Sequence, residues 1–130
     1  MMGMQDKVYI AGISCTKLGK RLDASVKQMV REAVDAALAD AGASVGDVDA
    51  AWFSNTRQPM LEGQNTVRGQ IALRPLGFES VPVVNIENAC ASGSSALIQA
   101  MAYPSSGRSR VEVSTRWLAT RWASTSCRLL

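Results

Sequence analysis

Residues 81–97 read VPVVNIENACASGSSAL, an apolar run that passes through a short polar stretch into a segment of small residues. The small residues from Ala91 onward favour a helix, so Cys90 is predicted to lie at a helix N-terminus. Unpaired backbone N–H groups and the positive end of the helix dipole stabilise an anion there, which makes Cys90 a candidate thiolate nucleophile. The alternative is a small cysteine that packs closely in the core and has no chemical role.

The region before this stretch contains one clear amphipathic helix. Ser25 and Gln28 predict a capping box at its start, and Gly42 predicts a left-handed stop at its end. Apolar residues recur between them every three or four positions, which places them on one face. These residues are Val26, Met29, Val30, Ala33, Val34, Ala37, Leu38 and Ala41.

Short apolar runs flank this helix. Residues 7–13 and 50–54 are predicted strands, and residues 66–74 are predicted to be helical until Pro75 prevents continuation. Strands that alternate with helices indicate an α/β fold with a mostly parallel sheet, covered on both faces. The helix after Cys90 has almost no polar face, so we expect it to be buried.

Several of these segments resemble the thiolase family. Residues 81–97 are similar to its nucleophile segment, and residues 62–70, EGQNTVRGQ, resemble the Gly-Gln-Asn-x-x-Arg segment that thiolases carry before the nucleophile. Residues 7–19 resemble the opening strand and loop, and residues 74–78 lead back to the strand before Cys90. The similarity covers residues 7–103 and is nearer to the sterol-carrier-protein-type branch than to the biosynthetic branch.

This resemblance implies a thiolase-type acyltransferase of lipid metabolism that acts on acyl-CoA or 3-oxoacyl-CoA. Cys90 would form the acyl-enzyme, coenzyme A would be a substrate, and no bound cofactor or metal would be needed. The complete family protein is expected to be a homo-oligomer.

The resemblance also suggests roles for residues outside the nucleophile. Gln64, Asn65 and Arg68 would lie in a loop near the pocket or the dimer interface; the alternative is an ordinary helix cap with a solvated arginine. Glu87 and Asn88 would shape the turn before the nucleophile, or form a plain turn. Serines 92, 94 and 95 are interpreted as hydrogen-bonding groups at the helix start, because no adjacent base is visible.

Other features of the family pattern have no counterpart here. Thiolases pair two similar halves, activate the nucleophile with a histidine and transfer protons with a second cysteine in a Cys-x-Gly segment. The 130 residues contain no histidine, Cys127 is followed by Arg-Leu-Leu, and Cys15 lies near the opening strand. We therefore expect residues 1–103 to form a truncated N-terminal half-domain, and the 130-residue chain alone to be inactive.

Residues 104–130 differ in character from the rest. They hold five arginines and one glutamate, a net charge of +4, whereas residues 1–103 hold nine Lys or Arg and ten Asp or Glu, a net charge of −1. No nucleic-acid-binding module accompanies this charge, so no nucleic-acid partner is expected. Thiolases continue here with a strand rich in Ala, Val and Gly, so we interpret the tail as aberrant, through a reading-frame change. We expect it to lack regular structure and to leave the sheet without a central strand; sequencing the gene beyond the codon for Ala100 tests the frame.

The whole chain gives little further context. Three cysteines are too few for a disulfide scaffold, and a nucleophilic thiol needs a reducing environment, so a cytoplasmic setting is expected. No targeting segment, membrane span or cluster of metal ligands is recognisable.

Two rival interpretations remain open. A 3-oxoacyl carrier-protein synthase shares the fold and a cysteine at the same helix start, although the Gly-Gln-Asn-x-x-Arg segment argues against it. A pseudoenzyme or accessory subunit would use the half-fold only for pairing or for lipid-thioester binding. Faster alkylation of Cys90 than of Cys15 would favour an activated thiol over a structural one.

Overall fold

The computed structural model describes residues 8–103, 112–117 and 127–129. The strands in these ranges are β1 (Gly12–Ser14), β2 (Ala50–Asn55), β3 (Val83–Ile86), β4 (Glu112–Trp117) and β5 (Cys127–Leu129). The α-helices are α1 (Val26–Ala41), α2 (Gln58–Glu62), α3 (Arg68–Leu73) and α4 (Ser92–Ala102). Short 3₁₀ turns span Val45–Asp47, Arg74–Leu76 and Ala89–Ala91.

The strands form one mixed sheet in the order β1-β5-β4-β2-β3. Strand β2 runs parallel to both of its neighbours, β3 and β4, which confirms the predicted parallel core of the sheet. Strand β5 runs antiparallel to both β1 and β4. The architecture is therefore α/β with a mostly parallel sheet.

Strand β2 is buried along its whole length because helices cover both faces of the sheet. Successive side chains alternate between these faces. Ala51 and Phe53 belong to a core formed with α1 and α3, and Ala50 and Trp52 belong to a second core formed with α4. Trp52 also meets the ring of Tyr103 edge to face, with centroids 5.0 Å apart, and this contact holds the end of α4 against β2.

Helix α1 follows the sequence pattern closely. Ser25 and Gln28 form the predicted reciprocal capping box, and Gly42 adopts the left-handed conformation, with φ 63°, that ends the helix. All of the predicted apolar stripe is buried except Ala41. The helix therefore packs on the sheet through the face that periodicity identified.

Strand β1 and helix α3 differ in extent from the sequence predictions. Strand β1 begins at Gly12, whereas residues 8–11 do not form strand, because pairing with the short β5 extends only over three residues. Helix α3 begins two residues later than predicted, and a 3₁₀ turn that contains Pro75 follows it. A proline at the start of a 3₁₀ turn loses no helical hydrogen bond, so the chain continues its turn there.

The expectation that the sheet loses a central strand after residue 103 is wrong. Strand β4 occupies the position between β2 and β5, paired in parallel with β2 from Ala50 to Asn55. Backbone hydrogen bonds form a sheet ladder without requiring an alternating side-chain pattern, so the absence of periodicity did not exclude a strand. The reading-frame interpretation and the boundary at residue 103 stay predictions.

Close packing of α3 on the sheet depends on Gly69. A Cβ atom at this position would lie 2.6 Å from Cβ of Phe53 and 2.7 Å from Cγ1 of Val83. The Gly69 N–H also donates to Oδ1 of Asn85 at 2.6 Å, so the helix has little room to withdraw. We expect Gly69→Ala to lower the free energy of unfolding by about 1–3 kcal/mol, the usual cost of overpacking.

Urea denaturation followed by circular dichroism measures this change. Gly46→Ala is the matched control, because the nearest atom to a Cβ there is Oγ of Ser44 at 3.7 Å, an ordinary contact. Equal stability of the two variants would contradict the packing argument.

Candidate active site around Cys90

Cys90 lies just beyond the carboxyl end of β3, beside the carboxyl end of β2. It is a free, exposed cysteine in the 3₁₀ turn Ala89–Ala91, which runs directly into α4 at Ser92. The sequence placed the helix start one residue too early, at Ala91, but its prediction of a thiol at the entrance to a helix agrees with this geometry. Ligands of open α/β sheets bind outside the carboxyl ends of parallel strands, so the location suits a site.

The residue before Cys90 has a strained backbone. Ala89 adopts φ 44°, a left-handed conformation that residues with a Cβ rarely adopt, at a cost of roughly 1–2 kcal/mol. Its N–H donates to Oε1 of Glu87 at 2.7 Å, and its carbonyl accepts the hydroxyl of Ser92 at 2.8 Å. Hydrogen bonds on both sides of one residue thus stabilise the unfavourable conformation.

Thr56 connects this turn to the end of β2. Its Oγ1 lies 3.0 Å from Oγ of Ser92, 3.2 Å from the carbonyl oxygen of Ala89 and 3.3 Å from Oε1 of Glu87. Thr56 is half-buried, one residue past the last residue of β2. The sequence analysis did not identify Thr56, since nothing in the local pattern marks a threonine after a strand as a partner of a turn 33 residues away.

Asn88 and two of the serines complete the turn. The Asn88 N–H donates to Oγ of Ser92 at 2.7 Å, and its side-chain amide donates to Oγ of Ser95 at 3.0 Å. Ser92 and Ser95 therefore act as hydrogen-bonding groups at the helix start, as predicted. The structure also brings Glu87 and Asn88 together in the turn before Cys90, where the sequence placed them.

Gln64 and Asn65 of the predicted loop lie between α2 and α3, whereas Arg68 is the first residue of α3. The amides of Gln64 and Asn65 bond to nearby backbone carbonyls, of Thr66 at 2.6 Å and of Gly63 at 3.1 Å. The half-buried Arg68 guanidinium instead donates to the backbone carbonyl of Asn55, the last residue of β2. Arg68 is thus tied to the same strand end as Thr56, while Gln64 and Asn65 shape their own loop.

The end of β2 is polar as well as buried. Oδ1 of Asn55 accepts the N–H groups of Arg57 and Gln58, and so caps the start of α2. The Nδ2 of Asn55 and the Oε1 of Gln58 are buried and lack a hydrogen-bond partner among the described residues. Buried polar groups are usually satisfied, so these two mark an unusual polar interior beside the turn that carries Cys90.

The prediction that the nucleophile helix is buried holds for one face. Ser92, Gly93, Ala96 and Ala100 of α4 are buried against the sheet. On the opposite face Ile98 is 66% exposed and Met101 is 45% exposed. An apolar composition on all sides made full burial the expectation, but the described residues cover only the side that faces β2 and β4.

Two further properties concern the described ranges alone. None of their helices is both long and apolar enough to cross a bilayer. Within these ranges, no three His, Cys, Asp or Glu side chains are grouped so that they could hold a metal ion.

Comparison with known proteins identifies the family. Residues 8–115 match the family model described as "Thiolase, N-terminal domain", which is most of the chain. The chain belongs to the thiolase family. The resemblance seen in the sequence is therefore confirmed, and the fold agrees with it.

Curated relatives match the chain over much of its length. A non-specific lipid-transfer protein-like 2 of Caenorhabditis elegans is 37% identical over 114 residues, 85% of this chain and 26% of that protein. An acetyl-CoA acetyltransferase of Methanothermobacter thermautotrophicus is 36% identical over 90 residues, 69% of this chain and 23% of that protein. Sterol carrier protein 2 of Gallus gallus is 33% identical over 96 residues, 72% of this chain and 17% of that protein. The chain thus spans only about a sixth to a quarter of the relatives it matches.

Solved structures share the fold. The Ltp2-ChsH2(DUF35) aldolase is similar with a TM-score of 0.69 and 27% identity, over 86% of this chain and 28% of that one. The priming β-ketosynthase of the R1128 polyketide pathway has a TM-score of 0.64 at 16% identity, over 92% of this chain and 48% of that one. The second comparison shows that the fold is common to thiolases and ketosynthases.

Proposed function

We propose that this chain is the nucleophile-bearing part of a thiolase-type acyltransferase that acts on acyl-CoA and 3-oxoacyl-CoA thioesters. One observation carries the proposal. In a thiolase-family chain, an exposed cysteine lies at the entrance to a helix, in a turn held by hydrogen bonds with Thr56, Glu87 and Ser92. A cysteine with only a packing role is usually buried, so the exposure of Cys90 favours the chemical role over the structural one.

The proposed reaction passes through an acyl-enzyme on Cys90. The thiolate sulfur attacks the carbonyl carbon of the acyl thioester, the new S–C bond forms, and the bond to the leaving group breaks. With 3-oxoacyl-CoA the sulfur attacks the 3-oxo (β) carbonyl carbon instead, the bond between the α and β carbons breaks, and acetyl-CoA leaves after its α carbon takes a proton. The thiol of coenzyme A then accepts the acyl group and returns a proton through a base; the reverse sequence condenses two acyl-CoA molecules.

The start of α4 suits the charge that develops in this reaction. The carbonyl oxygen becomes an oxyanion when sulfur attacks, and one hydrogen-bond donor aimed at such an oxyanion contributes about 3 kcal/mol in other acyl-transfer enzymes. Unpaired N–H groups and the helix dipole at the beginning of an α-helix favour such negative charge. Cys90 precedes the first helical residue by two positions, so its acyl group would lie near these donors.

Three other functions compete for the same fold. The similarity to a ketosynthase suggests a condensing enzyme that takes acyl groups from an acyl carrier protein, and the similarity to an aldolase complex suggests carbon–carbon cleavage without acyl transfer. An accessory half-fold without catalysis is the third possibility. The presence of Cys90 favours acyl transfer. Whether acyl-CoA or an acylated carrier protein acylates Cys90 distinguishes the thiolase from the condensing enzyme.

A graft into an acetyltransferase relative tests the proposed function. The 130-residue chain has no histidine to serve as the base, so alone we expect no detectable thiolysis of acetoacetyl-CoA. Residues 8–103, which contain Cys15 and Cys90 and lie within the stretch that matches the family model, replace the corresponding stretch of the Methanothermobacter enzyme, so that the rest of that protein is supplied. The chimera is expected to cleave acetoacetyl-CoA in the presence of coenzyme A.

The outcomes of this experiment are distinct. A folded chimera without thiolysis, for which circular dichroism and gel filtration match the parent enzyme, would reject the proposed function. Thiolysis by the isolated chain that disappears on Cys90→Ala would instead reject the expectation that the chain alone is inactive.

A further inference from the structure

We propose that Thr56 is a positioning residue for Cys90, acting through the strained peptide of Ala89. This inference rests on the proposed function, since it concerns the placement of the nucleophile. Thr56 belongs to the segment after β2, far from the nucleophile in sequence, and the family resemblance of the nucleophile stretch did not include it.

The contacts of Thr56 converge on the residue before Cys90. Its hydroxyl lies within 3.3 Å of three oxygens: the Ala89 carbonyl, Oγ of Ser92 and Oε1 of Glu87. Ser92 and Glu87 are the same groups that bond directly to the carbonyl and the N–H of Ala89. Thr56 therefore links the two groups that hold Ala89 to the end of β2.

Because Ala89 has a strained backbone, these contacts are needed to hold its conformation. A left-handed alanine returns to negative φ unless surrounding bonds prevent it, and residues in such conformations persist only when their surroundings determine them. A change of φ at residue 89 would rotate the next residue, Cys90, relative to the start of α4. The hydroxyl of Thr56 therefore keeps the thiol at the helix entrance.

The position of Thr56, directly after β2, suits it to restrain the turn. Strand β2 is buried on both faces and pairs with β3 and β4, which makes its end a fixed reference point. The turn at Ala89–Ala91 is exposed and has few other restraints from packing. A hydroxyl directly after the rigid strand can thus fix an exposed turn without covering the thiol.

Alkylation of the 130-residue chain tests this role. In a Cys127→Ser background, iodoacetamide modification of Cys90 is measured by peptide mass spectrometry against Cys15, which is also exposed and serves as the internal reference. Loss of one hydrogen bond corresponds to roughly a threefold to tenfold change in an equilibrium constant. We therefore expect Thr56→Val to slow the alkylation of Cys90 by that factor relative to the alkylation of Cys15. Thr56→Ser keeps the hydroxyl and should remain within about twofold of the parent chain.

A glycine at residue 89 distinguishes positioning from a general structural effect. Glycine adopts positive φ without strain. In an Ala89→Gly background, Thr56→Val should therefore have almost no effect on the alkylation rate of Cys90. Ser92→Ala removes a bond to the same carbonyl, and its effect should combine with that of Thr56→Val less than additively, because the two hydroxyls share one network. If Thr56→Val does not fold, Thr56→Ala with and without Ala89→Gly gives the same comparison.

The proposal is overturned if the Cys90 to Cys15 ratio is unchanged or raised in Thr56→Val, or if Thr56→Ser loses as much as Thr56→Val. It is also overturned if Thr56→Val is equally harmful beside Ala89→Gly. The alkylation readout does not require acyl transfer. An inactive chimera with a Thr56 effect would therefore count against the proposed function alone, and an active chimera without the effect would count against positioning alone.

Discussion

Replacement of Cys90 by alanine in the grafted acetyltransferase is expected to abolish thiolysis. Removal of the nucleophile from enzymes with covalent intermediates lowers kcat by about 10⁴-fold or more, because the acyl group then has no sulfur to which it can transfer. An exposed position at the entrance to α4 means that the substitution deletes one thiol without opening a cavity in the core. We therefore expect the folded chimera to persist while its activity disappears.

The control is Cys15→Ala in the same chimera. Cys15 is also exposed but lies after β1, so its loss should leave kcat and KM within about twofold of the parent chimera, as for most surface substitutions. A second readout is the covalent intermediate: acetyl-CoA without an acceptor should add one acetyl group to the parent protein and none to Cys90→Ala. Retention of thiolysis by Cys90→Ala would show that another group carries the acyl transfer.

The sequence predicted the nucleophile turn because its signal is local. An apolar strand, a short polar stretch and a helix of small residues follow one another in residues 81–97, and the structure arranges them as β3, the Ala89–Ala91 turn and α4. The boundaries of α1 were predictable for the same reason, since a capping box and a C-terminal glycine each depend on neighbours a few residues away.

Contacts between distant residues were not predictable from the same patterns. The bond from Thr56 to Ala89 spans 33 residues, and the bond from Arg68 to Asn55 spans 13. The first depends on β2 and β3 being adjacent and in register, and the second on α3 packing against β2; periodicity determines neither. The sequence placed Arg68 at a pocket or interface, but its bond to the end of β2 emerges only from the fold.

The exposed face of α4 shows a related limit. Composition predicted burial of the whole helix because apolar residues surround it, and such a pattern does not say which neighbours provide the cover. Ala96 and Ala100 lie against β2 and β4, whereas Ile98 and Met101 are exposed. The prediction that α4 is apolar on all sides was right. Its burial depends on neighbours that this pattern does not identify.

Phe53→Ala is expected to lower the free energy of unfolding by about 3–5 kcal/mol, the largest stability change of any substitution considered. Phe53 is 1% exposed at the centre of β2, within the core formed with α1 and α3. Its removal loses apolar burial and leaves a cavity between two helices and the sheet, which a close-packed interior fills only in part. Small domains are stable by about 5–15 kcal/mol, so this variant should unfold at much lower urea concentration than the parent chain.

The measurement is urea denaturation of the 130-residue chain, followed by circular dichroism and by tryptophan fluorescence, to which the buried Trp52 next in sequence contributes. Val84→Ala is the matched control, because Val84 is 37% exposed on the neighbouring strand β3 and its truncation should cost less than about 1 kcal/mol. Phe53→Leu retains most of the apolar volume and should fall between the two. If Phe53→Ala and Val84→Ala unfolded at the same urea concentration, β2 would not be the centre of the core, and the fixed strand end from which Thr56 reaches Ala89 would lose its support.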